Sequence, residues 1–312
     1  MAFVIGGICL FSLLLALAGR PWPSGQPWPP GQSTIAADEQ WQQSLLQWRQ
    51  RKDEEFKTSP TSPLAGMKRS TLLAGKEYSF IFGKGDIRIF ERKIDAARIL
   101  LKSQDQTWFW YSFRPGLTCT IDGQDVPSGS PLNGRALIRL GHYTFQAVPS
   151  SEDLILQIFD PERPKFKNFQ KLLYFPPDAN FAVPAKLEKI PDPVLVKMLT
   201  SLNLEKVFYR YALIRFQIDG QFCQLTAYKS SLEGDEAGLL FIPFTDLTSG
   251  VETYAAGRFL EIDEPLTAEF ILDFNYSFNP LCNYSSVYNC PRPPRENNLN
   301  VAIKAGEKTY RY

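Results

Sequence analysis

The feature that most constrains this chain is a series of short segments, from Gly75 onward, in which apolar and polar residues alternate. Segments such as KEYSFIFG, TWFWYSF and QFCQLTAYK are separated by turn-forming residues, and a period of two is typical of half-buried strands. The 23 Phe and 13 Tyr also favour strands, because aromatic side chains pack well on a pleated surface. The sequence therefore predicts a mainly β protein.

The strand-like segments form two groups, and a length of 312 residues is sufficient for two domains. Residues 75–160 predict a β-sandwich. A less regular stretch, residues 161–210, contains many prolines and lysines and one short apolar segment. We assign residues 170–312 to a second β domain, which we expect to be a small antiparallel barrel or a curled sheet.

The residues before the strands predict export and then a single helix. Residues 2–18 are apolar and uncharged but slightly short of the ~20 that a spanning helix needs, so residues 1–18 are predicted to be a signal peptide or a retained anchor. Residues 19–37 are rich in proline and glycine and predict a linker. Residues 38–58 predict an amphipathic helix, because large apolar residues recur at helical spacing: Trp41, Leu45, Trp48 and Phe56.

Charge and histidine content argue against several classes of function. A formal charge of +1 offers no basic face for a nucleic acid. The only histidine, His142, lies far in sequence from the polar motif described next, which disfavours Ser-His-Asp and Cys-His mechanisms and zinc enzymes. We therefore expect no metal and no cofactor, and membrane contact only through residues 2–18.

The densest group of polar residues is the segment TDLTSGVETYAAGRFLEI, which reads as a hairpin. Asp246 and Gly250 suit its turn, since aspartate side chains bond nearby backbone and glycine accepts a positive φ. Strand alternation after the turn would place Glu252, Tyr254 and Arg258 on one face. Such a face predicts either a buried ion-pair cluster or a wall that contacts a ligand.

The following segment, LDFNYSFNP, adds polar groups to the same region. If Arg258 is buried, it needs a carboxylate partner, for which Asp273 and Glu252 are the natural candidates. One interpretation is therefore a structural brace under the hairpin. The other is a site in which Arg258 clamps an anion. Its ligand-binding residues would be Tyr254, Arg258, Asn275 and Asn279, and its candidate catalytic acids and bases would be Asp246, Glu252 and Asp273.

Two cysteines near the C-terminus, Cys282 and Cys290, lie eight residues apart. In an exported chain this spacing predicts a disulfide that closes a small loop. Free thiols and a metal or redox pair are the alternatives. A structural zinc site would need four ligands, and Cys119 and Cys223 lie in separate predicted strands.

Four segments in this order resemble the bacterial family of unknown function DUF1684: LLQWRQRKDEEF, YFPPDANF, LLFIPFTDLTSGVETYAAGRFL and LDFNYSFNPLCNYSSVYNCPRPPRENNLNVAIKAGEK. The resemblance covers about residues 41–312 and is strongest from Phe241 to Lys308. It implies no activity, and it agrees with export because many members of the family are exported.

The first β domain more faintly resembles a forkhead-associated (FHA) sandwich. FGKGDIRI lies where that fold has its Gly-Arg turn, and IDGQDVPSGSPLNGRALIRLGHYTF is similar to its closing strands. Phosphothreonine-binding members use a Ser-x-x-His motif, whereas ERKIDAARILL here has neither Ser nor His. The resemblance therefore implies the fold without phosphopeptide binding.

These observations favour an exported protein whose second domain is a binding module with a polar, anion-accepting pocket. One alternative is a hydrolase that uses carboxylates alone, acting on glycans or phosphate-bearing groups. It requires two of Asp246, Glu252 and Asp273 to face one cavity in unequal environments. The other alternative is a purely structural envelope protein, in which every polar group of the motif is satisfied internally.

Overall fold

The structure is a computed structural model that describes residues 35–83, 86–113, 116–150, 152–234 and 236–311. The predicted signal peptide or anchor, and the predicted linker up to residue 34, lie outside the described residues. Helix α1 spans Ile35–Thr58, so it begins three residues before the predicted start and includes the end of the predicted linker. Ala36 and Ala37 are strong helix formers, which explains the earlier start. Among the described residues, no helix is long and apolar enough to cross a membrane.

The described residues divide into two compact units. Residues 57–169 form the first unit, and residues 35–56 together with 170–311 form the second. The mainly β fold class, with one N-terminal helix of substantial length and a curled C-terminal sheet, is confirmed.

The first unit consists of two antiparallel sheets. Its strands are β1 (Gly66–Leu72), β2 (Glu77–Gly83), β3 (Asp86–Phe90), β4 (Ile99–Gln104), β5 (Thr107–Ser112), β6 (Leu117–Ile121), β7 (Gln124–Asp125), β8 (Ala136–Leu140), β9 (Tyr143–Ser150) and β10 (Asp153–Phe159). The strand orders are β1-β10-β9-β8-β6-β7 and β3-β2-β4-β5. A short helix, α2 (Pro164–Lys167), follows β10.

A single core joins the two sheets of the first unit. Phe80 and Trp110 from the smaller sheet share one buried cluster with Ile138 and Phe145 from the larger sheet. The rings of Phe80 and Phe145 meet edge to face with their centroids 5.7 Å apart. The likeness of this sandwich to FHA domains stays a prediction.

Strand β1 lies before the predicted start of the sandwich at residue 75. Its sequence, GMKRSTL, has four consecutive polar residues beginning at Lys68, which obscures the period of two. The strand forms nonetheless, because β1 pairs antiparallel with β10 along its length, and the sequence of β10 is strongly apolar.

The second unit contains one six-stranded antiparallel sheet. Its strands are β11 (Ala182–Leu199), β12 (Glu205–Ile218), β13 (Gln221–Lys229), β14 (Leu239–Phe244), β15 (Arg258–Asp263) and β16 (Glu269–Asp273). The order is β15-β14-β13-β12-β11-β16. The unit also has four single-turn 3₁₀ helices at Ala179–Phe181, Phe274–Tyr276, Leu281–Asn283 and Arg295–Asn297.

The longest strand, β11, falls within the stretch that we describe from sequence as less regular. Its prolines obscure the strand pattern, and the pairing with β12 shifts register between Lys189 and Val194. The segment NVAIKAG, in contrast, forms no strand.

Helix α1 packs its apolar face within the second unit. Leu45, Trp48 and Phe56 are buried, as their helical spacing predicts. The ring of Trp48 lies 5.2 Å from that of Tyr276, and the ring of Phe56 lies 4.7 Å from that of Tyr284, both edge to face. These contacts also bring the polar residues that border the apolar face of α1 against the C-terminal segments.

Candidate functional site

The segment after β14 is a compact loop rather than the hairpin strand that we expect from its alternation. Strand β15 begins only at Arg258, so Glu252 and Tyr254 lie in the loop and share no strand face with it. The Asp246 carboxylate accepts hydrogen bonds from the backbone N–H and the hydroxyl of Thr248, at 2.7 and 2.6 Å. This local bonding competes with strand formation, which alternation alone does not reveal.

Arg258 is the centre of a buried brace. Its side chain is 0% exposed, and Nη2 lies 3.0 Å from Asp246 Oδ2, whose side chain is 1% exposed. The guanidinium also donates to the carbonyl oxygens of Ile303, at 2.8 Å, and Ala305. Arg258 therefore has a carboxylate partner, as its burial requires, but the partner is Asp246 and not Glu252 or Asp273.

This geometry corrects the prediction that Arg258 clamps an anion. Its Nη donors are directed at the protein's own carboxylate and carbonyl groups, and the side chain has no exposed surface. The brace fastens the C-terminal segment around Ile303 to the loop after β14, because Asp246 Oδ1 also accepts from the Ile303 N–H at 3.3 Å.

The three candidate acids and bases do not share one cavity wall. Asp246 pairs with Arg258, whereas Glu252 is half-exposed and lies 3.8 Å from the Lys308 amine. Asp273 accepts from the Asn275 N–H at 2.9 Å and from the indole N–H of Trp41. Each carboxylate therefore has its own partners, and the geometry gives the carboxylate hydrolase no support.

Asp273 and Asn275 lie against helix α1. Trp41 Nε1 donates to Asp273 Oδ2 over 2.7 Å. Burial raises the pKa of Asp273, although the hydrogen bonds from Trp41 and Asn275 oppose this. Asn275 is fully buried, and its amide group bonds the backbone of Asp178 as both donor and acceptor, at 2.8 and 3.0 Å. The Asn275 side chain is thereby committed to the protein itself.

A second contact with the helix is made by Glu307, which we do not identify from the sequence. Its side chain is 0% exposed, and Oε2 lies 2.8 Å from the amine of Lys52 on α1. The same carboxylate accepts from the Tyr284 hydroxyl and, at 3.1 Å, from the backbone N–H of Asn279. The Asn279 amide donates to the Lys308 carbonyl at 2.7 Å, so this residue fixes the tail rather than facing a ligand.

One sequence signal could have identified the pair. Lys52 stands four residues after Trp48 and four before Phe56, which places its charge on the apolar stripe of the helix. A lysine at such a position needs a carboxylate partner. Glu307 is the acidic residue of the segment NVAIKAGEK.

Two further side chains of α1 contact the same region. Arg49 donates to the carbonyl oxygen of Phe175 at 2.8 Å, and its guanidinium lies over the ring of Tyr174. Asp53 accepts from the backbone N–H of Leu172 at 2.8 Å. We call the surface that receives the helix the polar wall, defined by Asp273, Asn275, Glu307 and the backbone of Leu172 and Phe175.

The predicted disulfide is not present in the structure. Cys282 and Cys290 are both free thiols, and the sulfur of Cys290 accepts from the backbone N–H of Cys282 at 3.2 Å. The Tyr254 hydroxyl lies 3.8 Å from the Cys282 sulfur. No group of three or more His, Cys, Asp or Glu side chains able to hold a metal ion occurs among the described residues.

The fold and the polar wall together show that the second unit is a β unit that holds the amphipathic helix α1. Residues 167–308 match the family model described as "Protein of unknown function (DUF1684)". This region is therefore similar to the DUF1684 family, in agreement with the motifs noted above.

The chain is also similar to an uncharacterized protein of Haloarcula marismortui, whose structure was solved by solution NMR. The two are 34% identical over 48% of this chain and 83% of that chain, with a TM-score of 0.40. No curated protein matches.

Proposed function

We propose that this is an exported, non-catalytic protein whose C-terminal unit is a binding module for an amphipathic helix. The observation that carries the proposal is the set of polar contacts between α1 and the polar wall. Four helix side chains take part: Trp41, Arg49, Lys52 and Asp53. The wall therefore receives mainly N–H donors and cations, and not the anion that the sequence suggests.

The pairing of Lys52 with Glu307 gives the wall its specificity. Both charges are largely removed from water, with side-chain exposures of 11% and 0%. A buried carboxylate left without its cation is strongly unfavourable, typically by ~3–5 kcal/mol. A helix that lacks a cation at this position would therefore bind poorly, even if its apolar face were unchanged.

Export comes from the residues that precede the helix. Residues 1–18 have the character of a signal peptide or anchor, and α1 follows them after the proline-rich linker. In this proposal the polar wall fastens the C-terminal unit to the segment that carries it to the periplasm, the cell envelope or the medium. The FHA-like fold of the first unit is part of the proposal as a scaffold only.

The test uses the full chain with a protease site inserted between Pro60 and Thr61, immediately after α1 ends. After cleavage, a fluorescent peptide of residues 35–58 is added, and its binding is measured by anisotropy. The peptide should exchange into the wall, and a Lys52→Met peptide should bind at least ~10-fold more weakly. A Lys57→Met peptide is the matched control, since Lys57 is exposed, and it should bind like the wild type.

Two outcomes would overturn the proposal. Equal binding of the Lys52→Met and wild-type peptides would show that the charged contact gives no specificity. If the helix exchanged only when the C-terminal unit unfolded, α1 would be an integral part of the core, and the purely structural alternative would stand.

A further inference from the structure

The two C-terminal cysteines form a polar cluster that the helix-binding role does not use. Cys282 is half-buried in the 3₁₀ turn Leu281–Asn283, and Cys290 is 2% exposed. The Tyr254 hydroxyl is directed at the Cys282 sulfur over 3.8 Å, and the Cys290 sulfur accepts from the backbone N–H of Cys282 at 3.2 Å. Ser201 Oγ accepts from the Cys290 N–H at 3.1 Å and donates to the Tyr288 carbonyl at 3.2 Å, so it holds Cys290 rather than Cys282. A phenol donor and a second thiol therefore flank the Cys282 sulfur.

This arrangement stabilises a thiolate at one cysteine and a thiol at the other. The neighbouring Cys290 thiol, followed by the Tyr254 hydroxyl, lowers the pKa of Cys282 to about 7, although burial opposes the shift. Burial raises the pKa of Cys290 well above its usual value. Burial also raises the pKa of Tyr254, so its hydroxyl keeps the proton that it donates. A thiolate with a neighbouring protonated thiol is the pattern of a redox-active pair.

The backbone holds the second thiol close to the first. The Cys290 N–H donates to Ser201 Oγ at 3.1 Å, and the Ser201 N–H donates to the Cys290 carbonyl at 2.8 Å. The Cys282 N–H donates to the Cys290 sulfur at 3.2 Å. These bonds fix Cys290 beside Cys282 and place the two thiols in one cluster.

We propose that Cys282 is a site of oxidation by hydroperoxides and that Cys290 resolves the product as a disulfide. The Cys282 thiolate attacks the peroxide oxygen, the O–O bond breaks, and sulfur is oxidised to sulfenic acid while hydrogen peroxide is reduced to hydroxide. The Cys290 thiol then attacks the sulfenic sulfur. The S–O bond breaks, the disulfide forms, and the oxygen leaves as water with the thiol proton.

The first test measures alkylation of the reduced full chain by iodoacetamide as a function of pH, with each cysteine followed by mass spectrometry. Cys282 should react with a midpoint near pH 7. Tyr254→Phe should raise that midpoint by roughly half a unit or more, because one donor is lost. Tyr111→Phe, in the first unit, is the matched control and should leave it unchanged. A Cys282 midpoint at the usual value of ~8.5 would overturn the proposal.

The second test adds one equivalent of hydrogen peroxide to the reduced wild-type chain. The expected product is a disulfide between Cys282 and Cys290, and in Cys290→Ser the Cys282 sulfenic acid should instead be trapped by dimedone. Oxidation confined to Cys223, which is also partly exposed, or no disulfide between Cys282 and Cys290, would contradict the proposal.

Discussion

Replacing Arg258 with methionine should destabilise the second unit severely. Methionine fills part of the volume but leaves the Asp246 carboxylate buried without its cation, and it removes the donors to the Ile303 and Ala305 carbonyls. Breaking a buried ion pair by removing one partner costs ~3–5 kcal/mol. The intact pair itself stabilises the fold much less, since both charges lose their hydration when they are buried.

The assay is urea unfolding of the chain from Trp41 onward, followed by circular dichroism. With m between ~1 and 3 kcal/mol/M, a loss of this size lowers the midpoint of the affected transition by at least ~1 M. Arg215→Met is the matched control. It makes the same change in the same unit, but at a pair with Glu188 in which both side chains are more than half exposed. Exposed pairs contribute ~0–1 kcal/mol.

The reasoning is refuted if Arg258→Met unfolds at the same urea concentration as Arg215→Met. In that case the buried guanidinium would contribute no more than an exposed one, and the brace would not fasten the C-terminal segment. An unchanged midpoint would also return Arg258 to consideration as a group retained for a ligand.

Three further predictions concern stability, each measured by urea unfolding. Trp41→Phe should cost ~1–3 kcal/mol, since the indole donor to the Asp273 carboxylate is lost while the ring remains. Burial raises the pKa of Glu261 from 4.5 to about 8. The free energy of unfolding should therefore fall by roughly 2–5 kcal/mol as pH rises from 4.5 to about 8, and Glu261→Gln should remove this fall. A wild-type stability that does not change over this pH range would disprove the prediction. Gly257→Ala should cost more than ~1 kcal/mol, because φ is +91° and the added Cβ would lie 2.5 Å from a backbone oxygen of β14, whereas Gly238→Ala, which meets no atom within 4 Å, should be tolerated.

The sequence predicts the fold well where periodicity and burial agree. Trp48 and Phe56 mark the helix because its apolar face is buried at the spacing they show. The strands of the first unit are similarly visible, except the two-residue strand β7 and strand β1, whose polar residues pair along an apolar partner strand. Such a strand depends on a distant segment, so no local pattern reveals it.

The site is predicted in part. Burial of Arg258 correctly requires a carboxylate, but alternation cannot identify Asp246, because the Asp246–Thr248 bonds fold the loop back on itself. The sequence singles out Asp273 and Asn275 as unusual polar residues, but what covers Asp273 is α1, more than 200 residues earlier in the chain. Long-range partners of this kind follow from the tertiary fold and not from spacing.

The central claim is that the polar wall holds α1 through a specific buried charge pair. A double-mutant cycle on the stability of the full chain, with Lys52→Met and Glu307→Gln, tests this most directly. The account predicts a coupling free energy of at least ~1 kcal/mol between the two positions, and additivity when Lys57→Met replaces Lys52→Met. Additivity of the Lys52 and Glu307 changes within ~0.5 kcal/mol would contradict it.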